Sequence, residues 1–218
     1  MRHIDLSHVV EDGMVTYKGL PAPKISDFLS RADSRARYAP GTEFVIGMIE
    51  MCSNTGTYVD SPFHRYPDGA DLSALELDRL ADVDAVTIDA GTAARAIDRA
   101  QLQDHDVANR AVLIRTGWDR HWRTDAYFTG HPFLTEDAAG YLVERGALVV
   151  GIDSFNIDDI SGGERPVHTT LLAAGIPICE HLTNLAALPG GGYRFTAVPV
   201  KVAGMGTFPV RAYATLDT

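Results

Sequence analysis

Apolar positions along this chain fall into short runs separated by polar segments that contain glycine or proline. The runs at 111–116 and 147–152 are nearly continuous, which is typical of strands buried on both faces of a parallel sheet. Between them, Thr135 is a good N-cap residue and is followed by two acidic residues. It predicts a helix that runs to Arg145 and stops at Gly146. This strand–helix–strand order predicts an α/β fold.

The same patterns predict the remaining elements. Further strands are predicted at 4–9, 43–52, 83–88, 177–180, 193–202 and 208–216, and short helices at 73–80 and 167–174. The last two strands alternate as an antiparallel pair does. The polar segment 31–41, which holds three arginines, predicts an excursion that could move or meet a partner subunit. No repeat and no domain boundary stands out, so residues 1–218 are predicted to form one domain.

Composition narrows the classes of protein. With 45% hydrophobic and 22% charged residues, the 218-residue chain has an ordinary globular composition. A net charge of −10 argues against nucleic acid or an anionic membrane as partner. No apolar run is long enough to span a bilayer and no signal peptide is visible, so we expect a cytoplasmic protein. Cys52 and Cys179 are expected to be free thiols.

The segment Cys52–His64 carries the densest candidate chemistry. It follows an apolar run, shows no helix or strand pattern of its own, and contains Asn54, Tyr58, Asp60 and His64. A loop of this kind attached to a buried strand is a common place for a functional site. The same residues could also form a surface turn in which they only hydrogen-bond the backbone.

Two residues further along could complete a site with this segment. His168 opens the predicted helix 167–174, and Glu180 lies in an otherwise apolar strand. A buried carboxylate is costly unless it is paired or binds a metal, so Glu180 is either an ion-pair partner or a ligand. Asp60, His168 and Glu180 together would suit one divalent ion such as Zn²⁺ or Mn²⁺, with positions left for water and substrate.

Other candidates have weaker support. The acidic run Asp153, Asp158 and Asp159 predicts a solvated loop at the end of a strand. His8 and His131 could each line a pocket. The sequence contains no nucleophile elbow, phosphate-binding glycine loop or dinucleotide-binding fingerprint, so these enzyme classes are not indicated.

Several stretches together resemble the cyclase-like family of metal-dependent hydrolases, which includes bacterial kynurenine formamidase and isatin hydrolase. They are Ile4-Asp5-Leu6-Ser7-His8, Gly13-Met14-Val15-Thr16-Tyr17, Val149-Val150-Gly151-Ile152-Asp153-Ser154, His168-Thr169-Thr170-Leu171-Leu172, Ile178-Cys179-Glu180-His181-Leu182-Thr183-Asn184-Leu185 and Ala197-Val198-Pro199-Val200-Lys201. The resemblance covers nearly the whole chain in order. It implies a swivelling β/β/α-type domain and a homo-oligomer, either a dimer or a tetramer, with pockets near subunit contacts.

The family signature is His-x-Gly-Thr-His-x-Asp-x-Pro-x-His, and residues 54–64 match it at the glycine, threonine, aspartate, proline and last histidine. The first two histidines, which are metal ligands in the family, are Asn54 and Tyr58 in this chain. The resemblance therefore implies that the first metal position is weak or absent. The second position, built in dinuclear members from the equivalents of Asp60, His168 and Glu180, keeps its ligands.

Our preferred hypothesis is a cyclase-family enzyme that has lost the ordinary dinuclear zinc site. It would act on a small carbonyl-containing cyclic or cyclisable substrate by acid–base chemistry, in cyclisation, dehydration or isomerisation. Tyr58 and Asn54 would donate hydrogen bonds to a developing oxyanion. His64, Asp60 or Glu180 would move protons.

Two alternatives remain open at this stage. In the first, a single ion on Asp60, His168 and Glu180 supports hydrolysis of an amide or lactam, with His64 as general acid and base. In the second, the chain is a non-catalytic relative that binds a small ligand. In each case the substrate or ligand pocket is predicted to be apolar and aromatic. The predicted binding residues are Tyr17, Asn54, Phe63, Trp118 and Phe155.

Overall fold

The computed structural model describes residues 1–91 and 95–217. Its strands are β1 (Arg2–Asp5), β2 (Lys24–Leu29), β3 (Ile46–Glu50), β4 (Tyr58–Asp60), β5 (Val83–Asp89), β6 (Ala96–Ile97), β7 (Ala111–Arg115), β8 (Phe133–Leu134), β9 (Val149–Ile152), β10 (Ile178–Glu180), β11 (Gly191–Thr196), β12 (Thr207–Pro209) and β13 (Tyr213–Leu216). The α-helices are α1 (Arg31–Arg37), α2 (Glu136–Glu144) and α3 (Pro166–Ala173). Short 3₁₀ helices lie at Pro62–His64, Leu77–Arg79, Arg99–Gln101, Trp118–His121, Asp125–Phe128 and Leu185–Ala187. In this described part of the chain, no helix is long and apolar enough to cross a membrane.

One mixed sheet organises the described residues. Its strand order is β1-β13-β11-β5-β7-β9-β10-β4-β12. The four central strands β5, β7, β9 and β10 run parallel, and the outer pairs are antiparallel. This confirms the α/β class predicted from the nearly continuous apolar runs, because such runs are needed where both faces of a strand are covered.

The two faces of the sheet bury separate cores. Along β7, Val112 and Ile114 pack into a cluster that also holds Leu142 of α2 and Leu171 of α3. On the opposite face, Leu113 packs with residues of β1, β11 and β13. Successive side chains of a strand point to opposite faces, so each central strand contributes to both cores.

Helix α2 begins where its sequence predicted. The Thr135 side chain accepts a hydrogen bond from the Ala138 backbone N–H, and Arg145 is the C-cap residue. Gly146 follows in the left-handed region at φ +71°. The two predicted closing strands also pair antiparallel, as β11 with β13. The single strand predicted at 208–216 is, however, two strands in the structure. The first, β12, pairs with β4, and the second, β13, pairs with β11.

The strand before the Cys52–His64 segment is not buried. All five residues of β3 are exposed, and within the described residues β3 pairs only with β2, in a separate two-stranded sheet. The polar segment 31–41 is largely the helix α1, whose N-cap Ser30 accepts from the Asp33 backbone N–H. The strand predicted from the apolar run at 44–51 is therefore confirmed, but the expectation that this strand is buried is wrong.

Two further local predictions are wrong. The Cys52–His64 segment is not an irregular loop, because it contains the buried strand β4 and the 3₁₀ helix Pro62–His64. Residues 73–80 form turns and the 3₁₀ helix Leu77–Arg79 rather than an α-helix. Cys52 and Cys179 are both free, as predicted.

Candidate active site

Strand pairing at one edge of the sheet brings the candidate residues together. In the β10–β4 register Glu180 lies opposite Tyr58, and in the β12–β4 register Thr207 lies opposite Asp60. The helix α3 contributes His168 to the same region. The three-residue strand β4 thus places its carboxylate between elements from the second half of the chain.

His168 is held by a buried carboxylate. Its Nδ1 lies 2.6 Å from Asp158 Oδ2, and Asp158 also accepts the backbone N–H groups of Val167 and His168 at 2.7 and 3.0 Å. Asp158 therefore caps the first turn of α3 and orients the imidazole. The His168 Nε2 atom then lies 3.6 Å from Asp60 Oδ2 and 3.9 Å from Glu180 Oε1.

The prediction of a solvated acidic loop is wrong for two of its three residues. Asp158 is fully buried, and Asp153 is 1% exposed. Asp153 accepts hydrogen bonds from the backbone and hydroxyl of Thr116 and from the Gly117 backbone N–H. Both carboxylates are buried because they satisfy N–H groups where a helical turn begins. Asp159 is the partly exposed member and pairs with Arg95 at 3.4 Å.

Asp60 and His64 are linked through Thr207. The Thr207 hydroxyl donates to Asp60 Oδ1 and lies 2.9 Å from His64 Nδ1. Since the hydroxyl proton is given to Asp60, the His64 Nδ1–H donates to Thr207, which leaves His64 Nε2 as the acceptor nitrogen. The other carboxylate oxygen of Asp60, Oδ2, is buried without a hydrogen-bond partner among the described residues.

Two glycines allow close packing around the 3₁₀ helix that carries His64. A Cβ at Gly206 would lie 2.4 Å from the His64 backbone nitrogen. A Cβ at Gly69 would lie 2.7 Å from the carbonyl carbon of Pro62. Only glycine lets the backbone approach this closely, so the position of His64 depends on both residues.

Glu180 has a protein donor on each oxygen. The Tyr58 hydroxyl donates to Oε2 at 2.5 Å, and the Ile157 backbone N–H donates to Oε1 at 2.7 Å. Burial raises the pKa of Glu180 to about 7, although the nearby His168 opposes the shift. Burial and the charge of Glu180 raise the pKa of Tyr58 well above its ordinary value, so Tyr58 is a neutral phenol.

The electrostatics of His168 reflect its acidic surroundings. Burial lowers the pKa of His168, but the hydrogen bond with Asp158 and the nearby carboxylates of Asp60 and Glu180 outweigh burial and raise it to about 10. Three carboxylates thus surround one imidazole, which is the arrangement expected where a positive charge is to be held.

The residues present fit a divalent cation. Asp60, His64 and His168 offer ligand atoms that all lie within 4.8 Å of one another. The unpartnered Asp60 Oδ2 and the carboxylate-bound imidazole of His168 are features of metal ligands and their supporting residues. The sequence predicted Asp60, His168 and Glu180 as the ligand set, whereas the cluster found among the described residues contains His64 in place of Glu180.

The cluster lies in a cavity of about 600 Å³. Its floor is formed by the buried Tyr58, Asp60, His168 and Glu180. Of the predicted binding residues, Tyr17, Asn54 and Phe155 also line the cavity.

Phe63 and Trp118 are not among the lining residues in the described part of the chain. Trp118 instead starts the turn after β7 and donates its indole N–H to the Tyr127 carbonyl at 3.0 Å. Phe63, next to His64 in a 3₁₀ helix, cannot face the same way as its neighbour.

The two histidines named as further pocket candidates lie elsewhere. His8 stacks on Trp122 with ring centroids 4.0 Å apart, and His131 contacts the Asp158 carbonyl at 3.0 Å. Neither lines the cavity in the region the structure describes. Nothing in the sequence indicated Thr207, since no local pattern links it to His64. Asp158 was assigned to a solvated loop, although it lies shortly before the predicted helix that begins with His168 and could have been considered as its cap.

The fold and the site define a mixed α/β protein with a carboxylate–imidazole centre at the floor of a cavity. Residues 4–159 match the Cyclase family, described as "Putative cyclase", and the chain belongs to this family. The resemblance seen in the motifs is thereby confirmed. The matched region covers β1 to β9 and includes Asp60 and His64 but ends before His168.

Similar proteins are named enzymes. Kynurenine formamidase of Bacillus cereus is 29% identical over 168 residues, covering 77% of this chain and 78% of that protein. The enzyme of the same name from Geobacillus thermodenitrificans is 29% identical over 167 residues, with the same coverage. Together with the family match, these relatives make the chain an enzyme of the cyclase and hydrolase family, and we set aside the non-catalytic alternative.

Solved structures share the fold. A structure described as a potential metal-dependent hydrolase with cyclase activity is 26% identical, with a TM-score of 0.81, and the match covers 100% of this chain and 98% of that one. Isatin hydrolase A from Labrenzia aggregata superposes with a TM-score of 0.84 at 22% identity, covering 100% and 94% of the two chains. The swivelling α/β architecture is therefore the fold of this chain.

Proposed function

We propose that this enzyme hydrolyses an amide-type carbonyl group in a small molecule with the help of one divalent metal ion. The observation that carries the proposal is the cluster of Asp60, His64 and His168, which all line one cavity and whose ligand atoms lie within 4.8 Å of one another. The relatives named kynurenine formamidase support a formamide as the kind of amide to be tested first.

Two imidazoles and one carboxylate are a usual ligand set for a catalytic zinc ion, and Mn²⁺ accepts the same atoms. Asp60 Oδ2, His64 and His168 Nε2 would hold the ion, while Asp158 and Thr207 orient the two imidazoles. When bound, such an ion supplies a water of lowered pKa and polarises the substrate carbonyl.

Glu180 is then free to handle protons. Its Oε1 lies 3.9 Å from His168 Nε2, and Tyr58 and the Ile157 backbone hold the carboxylate in place. From this position Glu180 would accept a proton from the attacking water and return it to the nitrogen of the leaving amine. Asn54 lines the same cavity and would orient the substrate by hydrogen bonding.

Acid–base cyclisation, dehydration or isomerisation without a metal is the second candidate. It needs Tyr58 to donate a hydrogen bond to a substrate oxygen. In the structure the Tyr58 hydroxyl donates to Glu180 Oε2. Since its one proton is used there, we place metal-assisted hydrolysis first.

Metal binding and turnover test the proposal together. We expect one ion per chain in protein purified without chelators, and hydrolysis of N-formyl-L-kynurenine or a related N-formyl arylamine. His64→Ala and His168→Ala should each abolish tight Zn²⁺ binding in calorimetry. Glu180→Gln should keep the ion and lower kcat about 100-fold or more, the usual contribution of a general base. His3→Gln, an exposed histidine on β1, is the matched control.

Each alternative has its own outcome. Turnover by protein that holds no ion after chelation would reject the metal and favour acid–base chemistry. If Glu180→Gln loses the ion while His64→Ala keeps it, the ligand set is Asp60, His168 and Glu180, and His64 moves the proton.

A further inference from the structure

The hydroxyl group of Tyr17 lies where three other groups of the cavity meet. It is 3.1 Å from the Tyr58 hydroxyl, 3.1 Å from the Phe155 carbonyl oxygen and 2.9 Å from Asn156 Nδ2. Tyr17 and all three of these residues line the cavity. None of the steps proposed above uses this hydroxyl.

The direction of the hydrogen bonds around Tyr17 follows from its neighbours. The amide of Asn156 is fixed, because its Oδ1 accepts the Asp158 backbone N–H at 2.9 Å, so its Nδ2 donates to Tyr17. The Tyr58 proton lies on Glu180 Oε2 at 2.5 Å and is not available to Tyr17. The Tyr17 hydroxyl therefore accepts one hydrogen bond and keeps its own proton to donate.

The two phenols of the cavity differ in what holds their proton. Tyr58 donates to the carboxylate of Glu180, and a hydrogen bond to a charged acceptor is roughly twice as strong as one between neutral groups. Tyr17 donates to a neutral main-chain carbonyl, that of Phe155. An oxygen that gains negative charge during a reaction is a stronger acceptor than this carbonyl. The hydrogen bond of Tyr17 can therefore be redirected to a reacting oxygen, and it strengthens only as charge develops there.

The Tyr17 phenol is neutral and held in place. Burial, followed by the charge of Glu180, raises the pKa of Tyr17 well above its ordinary value, so the hydroxyl carries its proton at neutral pH. The ring packs against Phe155 with centroids 4.6 Å apart and against His181 at 5.5 Å. A donor that is already positioned needs little reorganisation when it is used.

The hydroxyl is also close to the group that we propose to move protons. It contacts the Tyr58 hydroxyl, which in turn donates to Glu180 Oε2. The other oxygen of Glu180 lies 3.9 Å from His168 Nε2. A carbonyl group attacked beside Glu180 therefore has the Tyr17 donor close by.

We propose that Tyr17 is a catalytic residue that donates a hydrogen bond to the substrate carbonyl oxygen as this oxygen gains negative charge. The role rests on the carbonyl chemistry of the proposed function. The substrate oxygen replaces the Phe155 carbonyl as acceptor, and the proton stays on Tyr17. The donor that the sequence analysis assigned to Tyr58 is thus supplied by its neighbour.

Tyr17→Phe tests the role in turnover, since it removes the hydroxyl and keeps the ring. The kcat for N-formyl-L-kynurenine or a related N-formyl arylamine should fall about 100-fold or more, the usual loss for one oxyanion donor, with little change in KM. Tyr141→Phe is the matched control. The Tyr141 hydroxyl also donates to a main-chain carbonyl, that of Gln103 at 3.4 Å, and Tyr141 does not line the cavity. The control should keep its kcat.

A pair of ketones tests the role without turnover. Phenyl trifluoromethyl ketone is largely a tetrahedral hydrate in water, whereas acetophenone stays planar, and neither has an amide bond to break. Both are titrated calorimetrically into the zinc-loaded enzyme. The tetrahedral ligand should bind Tyr17→Phe about 10-fold less tightly than the natural protein, because a hydrogen bond to a charged oxygen is lost. Acetophenone should bind both proteins equally.

The fold of the variant is checked separately. Thermal unfolding and Zn²⁺ titration should show that Tyr17→Phe is folded and binds zinc normally, since no proposed ligand is altered. If it does not fold, fluorotyrosine incorporated at position 17 replaces it. Fluorine makes the phenol a stronger donor, so the enzyme should then prefer the tetrahedral ligand over acetophenone more strongly. An unchanged preference would count against the role.

Two results overturn the role of Tyr17. One is a Tyr17→Phe enzyme that keeps the kcat of the natural protein. The other is an affinity for the tetrahedral ligand that does not depend on Tyr17, including the case in which neither ketone binds. Dependence on Tyr17 without hydrolysis of N-formyl amides would reject only the proposed function. Hydrolysis that does not depend on Tyr17 would reject only the role of this residue.

Discussion

At the scale of single residues, Tyr58 holds the buried carboxylate of Glu180 in place by a hydrogen bond. Its hydroxyl donates to Glu180 Oε2 at 2.5 Å and lies 3.1 Å from the Tyr17 hydroxyl, which itself donates to the Phe155 carbonyl. A tyrosine in this place cannot give its proton to a substrate while it holds Glu180. We therefore regard Tyr58 as a positioning residue for Glu180.

Tyr58→Phe tests this role. The change leaves Glu180 Oε2 without its donor, so the free energy of unfolding should fall by about 1–3 kcal/mol. If Tyr58 only positions Glu180, kcat should fall about 10-fold; a donor to the substrate oxyanion would cost about 100-fold or more. Chemical unfolding and steady-state kinetics measure the two effects.

Tyr193→Phe is the matched control for this variant. It removes a buried hydroxyl 2.6 Å from Thr87 Oγ1, on a strand remote from the cavity. It should cost similar stability and leave kcat unchanged. Equal losses of kcat in both variants would show that Tyr58 acts through the fold alone.

His8 gives the fold a defined pH dependence. Burial lowers the pKa of His8 from 6.5 to about 4, with Asp119 partly opposing the shift, and its Nε2 atom has no hydrogen-bond partner among the described residues. Between these two pH values the unfolded chain binds more protons than the folded one. The contribution of His8 to stability is therefore complete above pH 6.5 and is lost as the pH falls towards 4.

His8→Phe should remove this dependence. A phenyl ring keeps the stack on Trp122, whose plane lies within 8° of the imidazole, and it cannot be protonated. When the pH is lowered from 7 to 4.5, the free energy of unfolding, measured in urea, should fall by about 1–3 kcal/mol less in the variant than in the natural protein. Parallel pH profiles for the two proteins would contradict the assignment.

At the scale of elements, the sequence predicted the helices and strands that are determined by residues close to them in the chain. The cap of α2 and the apolar run of β9 are both explained by neighbouring residues, and both were found. Strand β4 has only three residues, and it is a strand because β10 and β12 pair with it from more than 100 positions away. No local pattern could reveal it. The exposure of β3 escaped prediction for the same reason, since burial depends on what packs against a strand.

In the candidate site, too, the residue types could be predicted from the sequence, whereas their contacts could not. The residues proposed to carry the chemistry could be chosen from sequence and resemblance; they are Asp60, His64, His168 and Glu180. The hydrogen bonds that fix them could not, because Thr207 reaches His64 only through the β12–β4 pairing. Distances between side chains likewise emerge only from the assembled sheet.

Gly206→Ala tests how the element that carries His64 is held. The new Cβ would overlap the His64 backbone nitrogen at 2.4 Å, so the 3₁₀ helix Pro62–His64 must move. Overpacking of this kind costs about 1–3 kcal/mol, and the displaced His64 should also weaken Zn²⁺ binding. Thermal unfolding and zinc titration measure the two effects.

Gly140→Ala, inside α2, meets nothing within 4 Å and should be neutral or slightly stabilising. A Gly206→Ala protein that is as stable as this control and binds zinc normally would show that the close approach at Gly206 has no role.

At the scale of the whole molecule, the β2–β3 sheet is separate from the main sheet and exposes several apolar side chains. Ile25 pairs with Ile49 on one face, and Phe28 and Met48 are 76% and 54% exposed. An isolated two-stranded sheet is only marginally stable in water, and monomers seldom expose large apolar patches. The sheet carries little net charge, since its one basic residue, Lys24, lies opposite Glu50 and leaves only Asp27 in excess.

We predict that a second copy of the chain covers this sheet, because an apolar and nearly neutral surface does not repel its own copy. Two earlier expectations also remain predictions: the homo-oligomer implied by the family resemblance, and the contact of segment 31–41 with a partner subunit. Light scattering should give a dimer or larger assembly, and the double variant Phe28→Asp, Ile49→Lys should be a monomer. Leu77→Asp, 62% exposed and elsewhere, should not change the assembly. A monomeric natural protein would disprove the prediction.

The pairing of β4 has a consequence for the time at which the enzyme becomes active during its synthesis. The parallel strands β5, β7 and β9 follow one another along the chain and can pair as they emerge from the ribosome. Strand β4 is made earlier than all three, yet its partners are β10 and β12, and β12 lies near the end of the chain. Asp60 therefore lacks its native neighbours until the chain through β12 has been translated, so the candidate active site can form only after Pro209 has been made.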